Sequence, residues 1–182
     1  MVFIDESGML MAPLVRRTWA PRGQTPHLHQ RMQSHTKISV IAALCIAPDR
    51  QRLHLYFRLH PDENINKDRV RAFLQQLIRQ LDAPIMLVWD RLAAHRSRVV
   101  QGFISDTPGL YDEFLPSYAP ELNPVEQVWS YLKMNPLANF TAYDVDTLAD
   151  TTRHHTRSLQ HKKSLLQSFV ANTPLPIRIG RT

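Results

Sequence analysis

Pro84-Ile85-Met86-Leu87-Val88-Trp89-Asp90 is a nearly unbroken apolar run of strand length that stops on an acid. Such a run reads as a central strand buried on both faces, with Asp90 delivered to its C-terminal end. The segment before it has a different period. From Asn66, a good N-cap, the residues Val70, Phe73, Leu74, Leu77, Ile78 and Leu81 recur at i, i+3, i+4 and i+7, which predicts an amphipathic helix.

Further upstream the chain reads as strands. Leu53, Leu55 and Phe57 alternate with His54, Tyr56 and Arg58 before the break at Pro61-Asp62-Glu63-Asn64, and Lys37 to Ile46 is a largely buried strand. Val15-Arg16-Arg17-Thr18-Trp19 suggests another strand, closing in a turn at Pro21-Arg22-Gly23. At the start, Val2-Phe3-Ile4 is a short apolar run that ends in Asp5-Glu6-Ser7-Gly8, a strand bringing acids to its C-terminal end. Downstream of Asp90, Ala93 to Ile104 reads as helix, Tyr111 to Leu115 as a short strand and Pro116 to Leu122 as loop. Asn123-Pro124 then opens a helix carrying Glu126, Val128, Trp129, Tyr131 and Leu132. Tyr143 to about Val170 reads as one or two basic helices, and Pro174 to Thr182 as an irregular basic tail. Strands first, then strands alternating with helices, predict an α/β fold with helices packed on a mixed sheet, in one domain over residues 1–182.

The 182 residues carry 22 Lys plus Arg against 16 Asp plus Glu, a net charge of +6, and a surface of that sign favours polyanionic partners. Cys45 stands alone inside an apolar strand, so it reads as a buried structural thiol and excludes an internal disulfide. The nine His are scattered, against a zinc finger. No stretch has the basic start and apolar core of a signal peptide or the length of a membrane span, so a soluble intracellular protein is expected.

Three acids occupy equivalent places: Asp5 and Asp90 at strand ends, and Glu126 on the first turn of a helix that follows a strand. Sites in open α/β folds form at that edge. Carboxylates gathered there repel unless a cation neutralises them, and Mg²⁺ suits oxygen ligands. Local structure offers a rival account of each: a turn through Ser7-Gly8 for Asp5, an N-cap for Asp90, and the acid of a capping box begun at Asn123 for Glu126.

The string Leu115-Pro116-Ser117-Tyr118-Ala119-Pro120-Glu121-Leu122-Asn123-Pro124-Val125-Glu126-Gln127-Val128-Trp129 resembles the third-acid motif of the DDE transposases of mariner-like bacterial insertion sequences. Asp90 and Glu126 are separated by 35 residues, as in that family; Phe3-Ile4-Asp5-Glu6-Ser7-Gly8 is similar to its first-acid motif, and Trp89-Asp90 with His95 to its second. The resemblance runs from about Val2 to Lys133 and more loosely to the end.

The resemblance implies a ribonuclease-H-like fold in which Asp5, Asp90 and Glu126 hold two Mg²⁺ or Mn²⁺ ions, cutting and joining DNA strands by in-line displacement. Glu6 and Glu121 do not match metal-binding positions and read as acids that support the ligands from behind or lie on the surface. His95 either orients a carboxylate, contacts phosphate or is an ordinary surface side chain. Arg91 and Leu92 stand where many relatives place Asn and Ala. The family's N-terminal helix-turn-helix region is not present, so a separately encoded catalytic half or a truncated remnant is expected. The partners implied are transposon ends and target DNA, a second copy in a homodimer, and a separate helix-turn-helix chain or full-length transposase; the location implied is cytoplasmic and nucleoid-associated. Arg16, Arg17, Arg22, Arg91, His95, Arg96 and Arg98 are the candidate DNA contacts beside the site, with Arg153, Arg157, Lys162 and Lys163 further along. These would hold phosphates, giving salt-sensitive binding without base reading. Trp19 and Trp129 offer stacking surfaces or, as the favoured alternative, packing. A metal-dependent nuclease without strand transfer and an inactive DNA-binding or dimerising fragment are the competing functions.

Overall fold

The computed structural model describes residues 1–12, 14–29 and 36–177. Five strands form one sheet: β1 (Val2–Leu10), β2 (Lys37–Ile46), β3 (Leu53–Pro61), β4 (Ile85–Trp89) and β5 (Leu110–Phe114), in the order β3-β2-β1-β4-β5. The first three are antiparallel neighbours, while β4 runs parallel to β1 and β5 parallel to β4. Five helices flank the sheet: α1 (Lys67–Leu81), α2 (Arg98–Ser105), α3 (Pro124–Met134), α4 (Val145–Gln160) and α5 (Lys163–Ala171). The mixed, helix-flanked sheet expected from the sequence is therefore present.

The two-residue period of the strands divides the core between the two faces. Phe3, Met9, Val40, Ala42 and Leu44 pack with Val128, Trp129 and Leu132 of α3 and with Leu148, Leu159, Leu166 and Phe169 of α4 and α5. Val2, Ile4, Ile41, Ala43 and Cys45 point the other way, onto Val70, Phe73, Leu74 and Leu77 of α1 and Val100 and Ile104 of α2. Each large side chain buried in this way contributes roughly 1.5–3 kcal/mol. Asn66 begins α1 as expected, its side chain accepting from the Asp68 and Arg69 amides, a cap worth about 1 kcal/mol. Cys45 is buried, and desolvation pushes its thiol up to about 12.

Four expectations need correction. Asp5 does not end a strand. β1 continues to Leu10 because β2 pairs with it from Val2↔Cys45 to Leu10↔Lys37, whereas β4 pairs with it at Val2 and Phe3 alone. Asp5 thus lies where one flank of β1 is freed and the other still held. Residues 15–19 form no strand; Val15 and Trp19 are exposed, and the segment is tied instead to the chain beyond α3 by Leu14 and Arg16 bonds to Asn139. The turn at Pro21-Arg22-Gly23 does form, with Gly23 at φ 82 and the Gln24 amide donating to the Pro21 carbonyl. Helix α2 starts at Arg98, after a run of turns, because Ser97 caps it through Val100. Finally, β4 is not buried on both faces: Met86 is exposed and Val88 half-buried, since α3, α4 and α5 lie over β1, β2 and β3. The two C-terminal helices are α4 and α5, and of the basic tail residues 178–182 lie outside those described. Among the described residues no helix is long and apolar enough to cross a membrane.

Candidate active site

The site is assembled by docking α3 across the freed flank of β1. Asn123 caps α3 by accepting from the Val125 amide and at the same time donates from Nδ2 to the Ile4 carbonyl, 3.0 Å away. Two turns on, Trp129 Nε1 donates to Asp5 Oδ2 at 2.7 Å, and one turn further Lys133 Nζ donates to Ser7 Oγ at 2.7 Å. These residues share a helix face with Glu126, so the same contacts that hold the helix set the position of that acid. The Asn123 amide donates to the Pro120 carbonyl, so the return bond of a capping box is not what engages Glu126.

Asp90 follows the last residue of β4. Its Oδ1 accepts from the Leu92 amide at 3.0 Å and from His95 Nδ1 at 2.9 Å. It does not cap α2, a role taken by Ser97. His95 is fully buried, stacked on Trp89 with ring centroids 4.3 Å apart, and its Nε2 lies 2.9 Å from Glu6 Oε1. It is neither a surface residue nor placed to touch DNA, which corrects both of those readings. Adjacent residues Asp5 and Glu6 part company because the pleat sends Asp5 toward α3 and Glu6 toward His95.

Asp5, Asp90 and Glu126 line one cleft of about 380 Å³, with Arg91 and the loop Leu115–Pro120 around it. Burial, then the charges of Glu126 and Glu6, lift the Asp5 carboxyl from its ordinary 3.8 to about 8, against the pull of the Trp129 bond. Glu126 is also raised, by burial first, with Lys133 opposing and Asp90 adding. Asp90 goes the other way: burial works against its charge, but the His95 and Leu92 bonds outweigh it and hold the carboxyl below the usual range. For His95, burial disfavours the cation, yet the bonds to Asp90 and Glu6 prevail and raise the imidazole to about 10. Among the described residues no three His, Cys or acidic side chains already converge as a ready-made set for an ion; the three acids stand around the cleft with Asp5 and Asp90 each turned toward its ring partner.

Of the candidate DNA contacts, Arg91 borders the cleft, its guanidinium 5.7 Å from the Phe114 ring centre. Arg96 and Arg98 are exposed at the start of α2, and Arg17 and Arg22 on the segment after β1, none of them lining the cleft. Arg16 reaches the Met134 carbonyl at the end of α3. Trp19 is fully exposed, so packing does not account for it, whereas Trp129 is buried in the core. Glu121 is exposed and away from the cleft lining. Sequence reasoning missed the roles of Asn123, Lys133 and Trp129 in docking α3; for Glu6 it offered a supporting or a surface place, and the structure gives the supporting one while supplying the partner, His95, that the sequence did not name. The i, i+3, i+6, i+10 spacing of Asn123, Glu126, Trp129 and Lys133 was a signal for the first group; nothing local pointed to the partner of Glu6. Tyr118, fully exposed at φ 59 on the cleft rim, was also not singled out as a site residue.

The family model for DDE superfamily endonucleases matches residues 1–149. No curated protein matches the sequence. Among solved structures the chain is similar to the Mos1 mariner paired-end complex with Mn (17% identity, TM-score 0.69) and to the Mos1 transposase paired-end complex with left transposon end (18%, TM-score 0.67), in each case over 95% of this chain and 52% of the other. It is also similar to the catalytic domain of Mos1 mariner transposase, at 15% identity and TM-score 0.52, over 97% of this chain and 83% of that one. The chain thus spans about half the length of the first two. These likenesses establish the fold as ribonuclease-H-like.

Proposed function

The chain belongs to the DDE superfamily endonucleases, and from that membership together with the cleft geometry we propose that it is the catalytic domain of a transposase, cutting DNA strands and joining their 3′ ends to a target. The observation that carries the reading is that Asp5 from β1, Asp90 from β4 and Glu126 from α3 line one cleft. Its substrates are transposon ends and target DNA, in keeping with the paired-end complexes of the similar Mos1 structures.

The donor set fits divalent cations. All three groups are hard oxygen donors, and burial, then the charges of Glu126, Glu6 and Asp90, oppose ionisation of Asp5, which an entering cation would favour. Asp5, Asp90 and Glu126 would hold two Mg²⁺ or Mn²⁺ ions, which when bound supply activation of a water or 3′-hydroxyl and stabilisation of the departing oxygen. The chain's own part is placement. Trp129 and His95 fix two of the carboxylates. The bonds from Asn123 to Ile4 and from Lys133 to Ser7 hold α3, and so Glu126, against β1. Arg91 is on hand at the cleft for the phosphate's charge.

The test is nicking of a supercoiled plasmid by the purified chain in Mg²⁺ or Mn²⁺, beside Asp90→Asn, with a 3′-hydroxyl oligonucleotide present to reveal joined products. Metal-dependent nicking lost in the variant supports the reading; nicking undiminished in Asp90→Asn sinks it.

A further inference from the structure

Asp90 meets the cleft with one oxygen committed. Its Oδ1 accepts from both the Leu92 amide and His95 Nδ1, while among the described residues Oδ2 has no protein hydrogen-bond partner, and the side chain is 43% exposed. Behind it, His95 is immobilised on every side. Its ring is fully buried and stacked on Trp89 at 12°. Its backbone carbonyl accepts from Gln101 Nε2, which also donates to Asp112; Asp112 in turn accepts from Trp89 Nε1. Its far nitrogen faces Glu6 Oε1, and Glu6 Oε2 is buried without a partner.

One ring nitrogen faces Asp90 Oδ1 and the other Glu6 Oε1, each at 2.9 Å, so the imidazole is pinned between the two carboxylates. A carboxylate held by a buried ring N–H on one oxygen is free to offer the other in a single orientation, which is how partners behind a ligand raise affinity for an ion. Burying an imidazole between two acids is costly unless all are satisfied, and packing alone would be served better by a phenyl ring.

We propose that His95, backed by Glu6, is a positioning residue: it takes Oδ1 of Asp90 out of play and presents Oδ2 alone to the divalent cation. The proposal rests on the reading of Asp90 as a metal-holding carboxylate.

Two substitutions separate this from a packing role. His95→Asn keeps an N–H near the place of Nδ1 and loses the ring; His95→Phe keeps the ring on Trp89 and loses the N–H. Mn²⁺ alone is the probe, its free concentration read from the electron paramagnetic resonance signal of the aqueous ion. His95→Asn is expected to bind Mn²⁺ within about threefold of the unmodified chain, and His95→Phe to lose roughly 10- to 100-fold. Should His95→Phe not fold, the double change Glu6→Leu with His95→Phe removes the stranded buried carboxylate and answers the same question. Unchanged affinity in the phenyl variant, or equal loss in both, overturns the positioning role while leaving the metal site intact. Absence of Mn²⁺ binding by the unmodified chain overturns the metal reading and this inference with it.

Discussion

Asp5 and Asp90 face the same cleft, and each is held through one oxygen by a buried ring N–H, yet their charges are treated in opposite ways. On the α3 side the donor is the neutral indole of Trp129, and the carboxyl of Asp5 is pushed up to about 8. On the β4 side the donor is an imidazole ionised by its two acids, and Asp90 is held below its ordinary value. One half of the site resists ionisation and the other half has balanced its charge. Added positive charge therefore has most to offset on the α3 side, where Asp5 and Glu126 are both raised.

The largest effect that sharpens the contrast comes from neutralising each acid in turn. Asp5→Asn and Asp90→Asn should both reduce metal-dependent nicking by roughly 10²- to 10³-fold or more, as expected for loss of a preorganised electrostatic group. Thermal unfolding without metal at neutral pH should separate them, with Asp5→Asn stabilised and Asp90→Asn destabilised; a shift of the same sign in both would break the comparison. The pH dependence follows from the same values. The native Asp5 carboxyl binds its proton more tightly than the unfolded one, so between pH 3.8 and about 8 the native state holds more protons and stability falls as pH rises. Asp90 acts in reverse: its contribution is present above its ordinary value and is lost as pH falls through its depressed one. Urea unfolding at pH 5 and pH 8 should show Asp5→Asn flattening the decline.

Removing the indole donor is next in size. Trp129→Phe leaves a buried carboxyl oxygen unsatisfied, at a cost of about 1–3 kcal/mol, and moves the Asp5 window to higher pH. Asn123→Ala loses both the cap and the bond to Ile4, about 1–2 kcal/mol, and should lower nicking by displacing Glu126; a variant equally unstable but fully active would show that α3 positions nothing. The smallest effect lies at the rim. Arg91→Gln should reduce the slope of log affinity for DNA against log salt by about one unit, and Arg16→Gln, whose guanidinium is engaged at Met134, by less.

The parts of this architecture that could be read from sequence are those written in local patterns. The α1 helix announces itself in the spacing from Val70 to Leu81, α3 in Asn123-Pro124, and β4 in its apolar run. The three acids were visible because each follows an apolar run or opens a helix. Asp5 was misplaced within its strand because Asp5-Glu6-Ser7-Gly8 reads as a turn, and only pairing with β2, some 35 residues on, keeps it extended. The partners of the acids were hidden for the same reason on a larger scale: Glu6 and His95 are 89 residues apart, and Asp5 and Trp129 are 124 apart. Periodicity says which face a side chain takes, but not which remote side chain meets it there. Val15 to Trp19 has strand composition but no free sheet edge beside it, since β3 and β5 are the edges and it lies against the end of α3.

The indole bond to Asp5 also makes the molecule its own optical gauge. Of the three tryptophans, Trp129 touches an acid of the cleft, Trp89 stacks on the histidine behind another, and Trp19 is bathed in solvent. An aqueous quencher should silence Trp19 first, leaving emission from two rings, one in contact with Asp5 and the other next to Asp90 in the chain. Light from an unlabelled sample would then report filling of the cleft in real time, with Trp129→Phe as the blank.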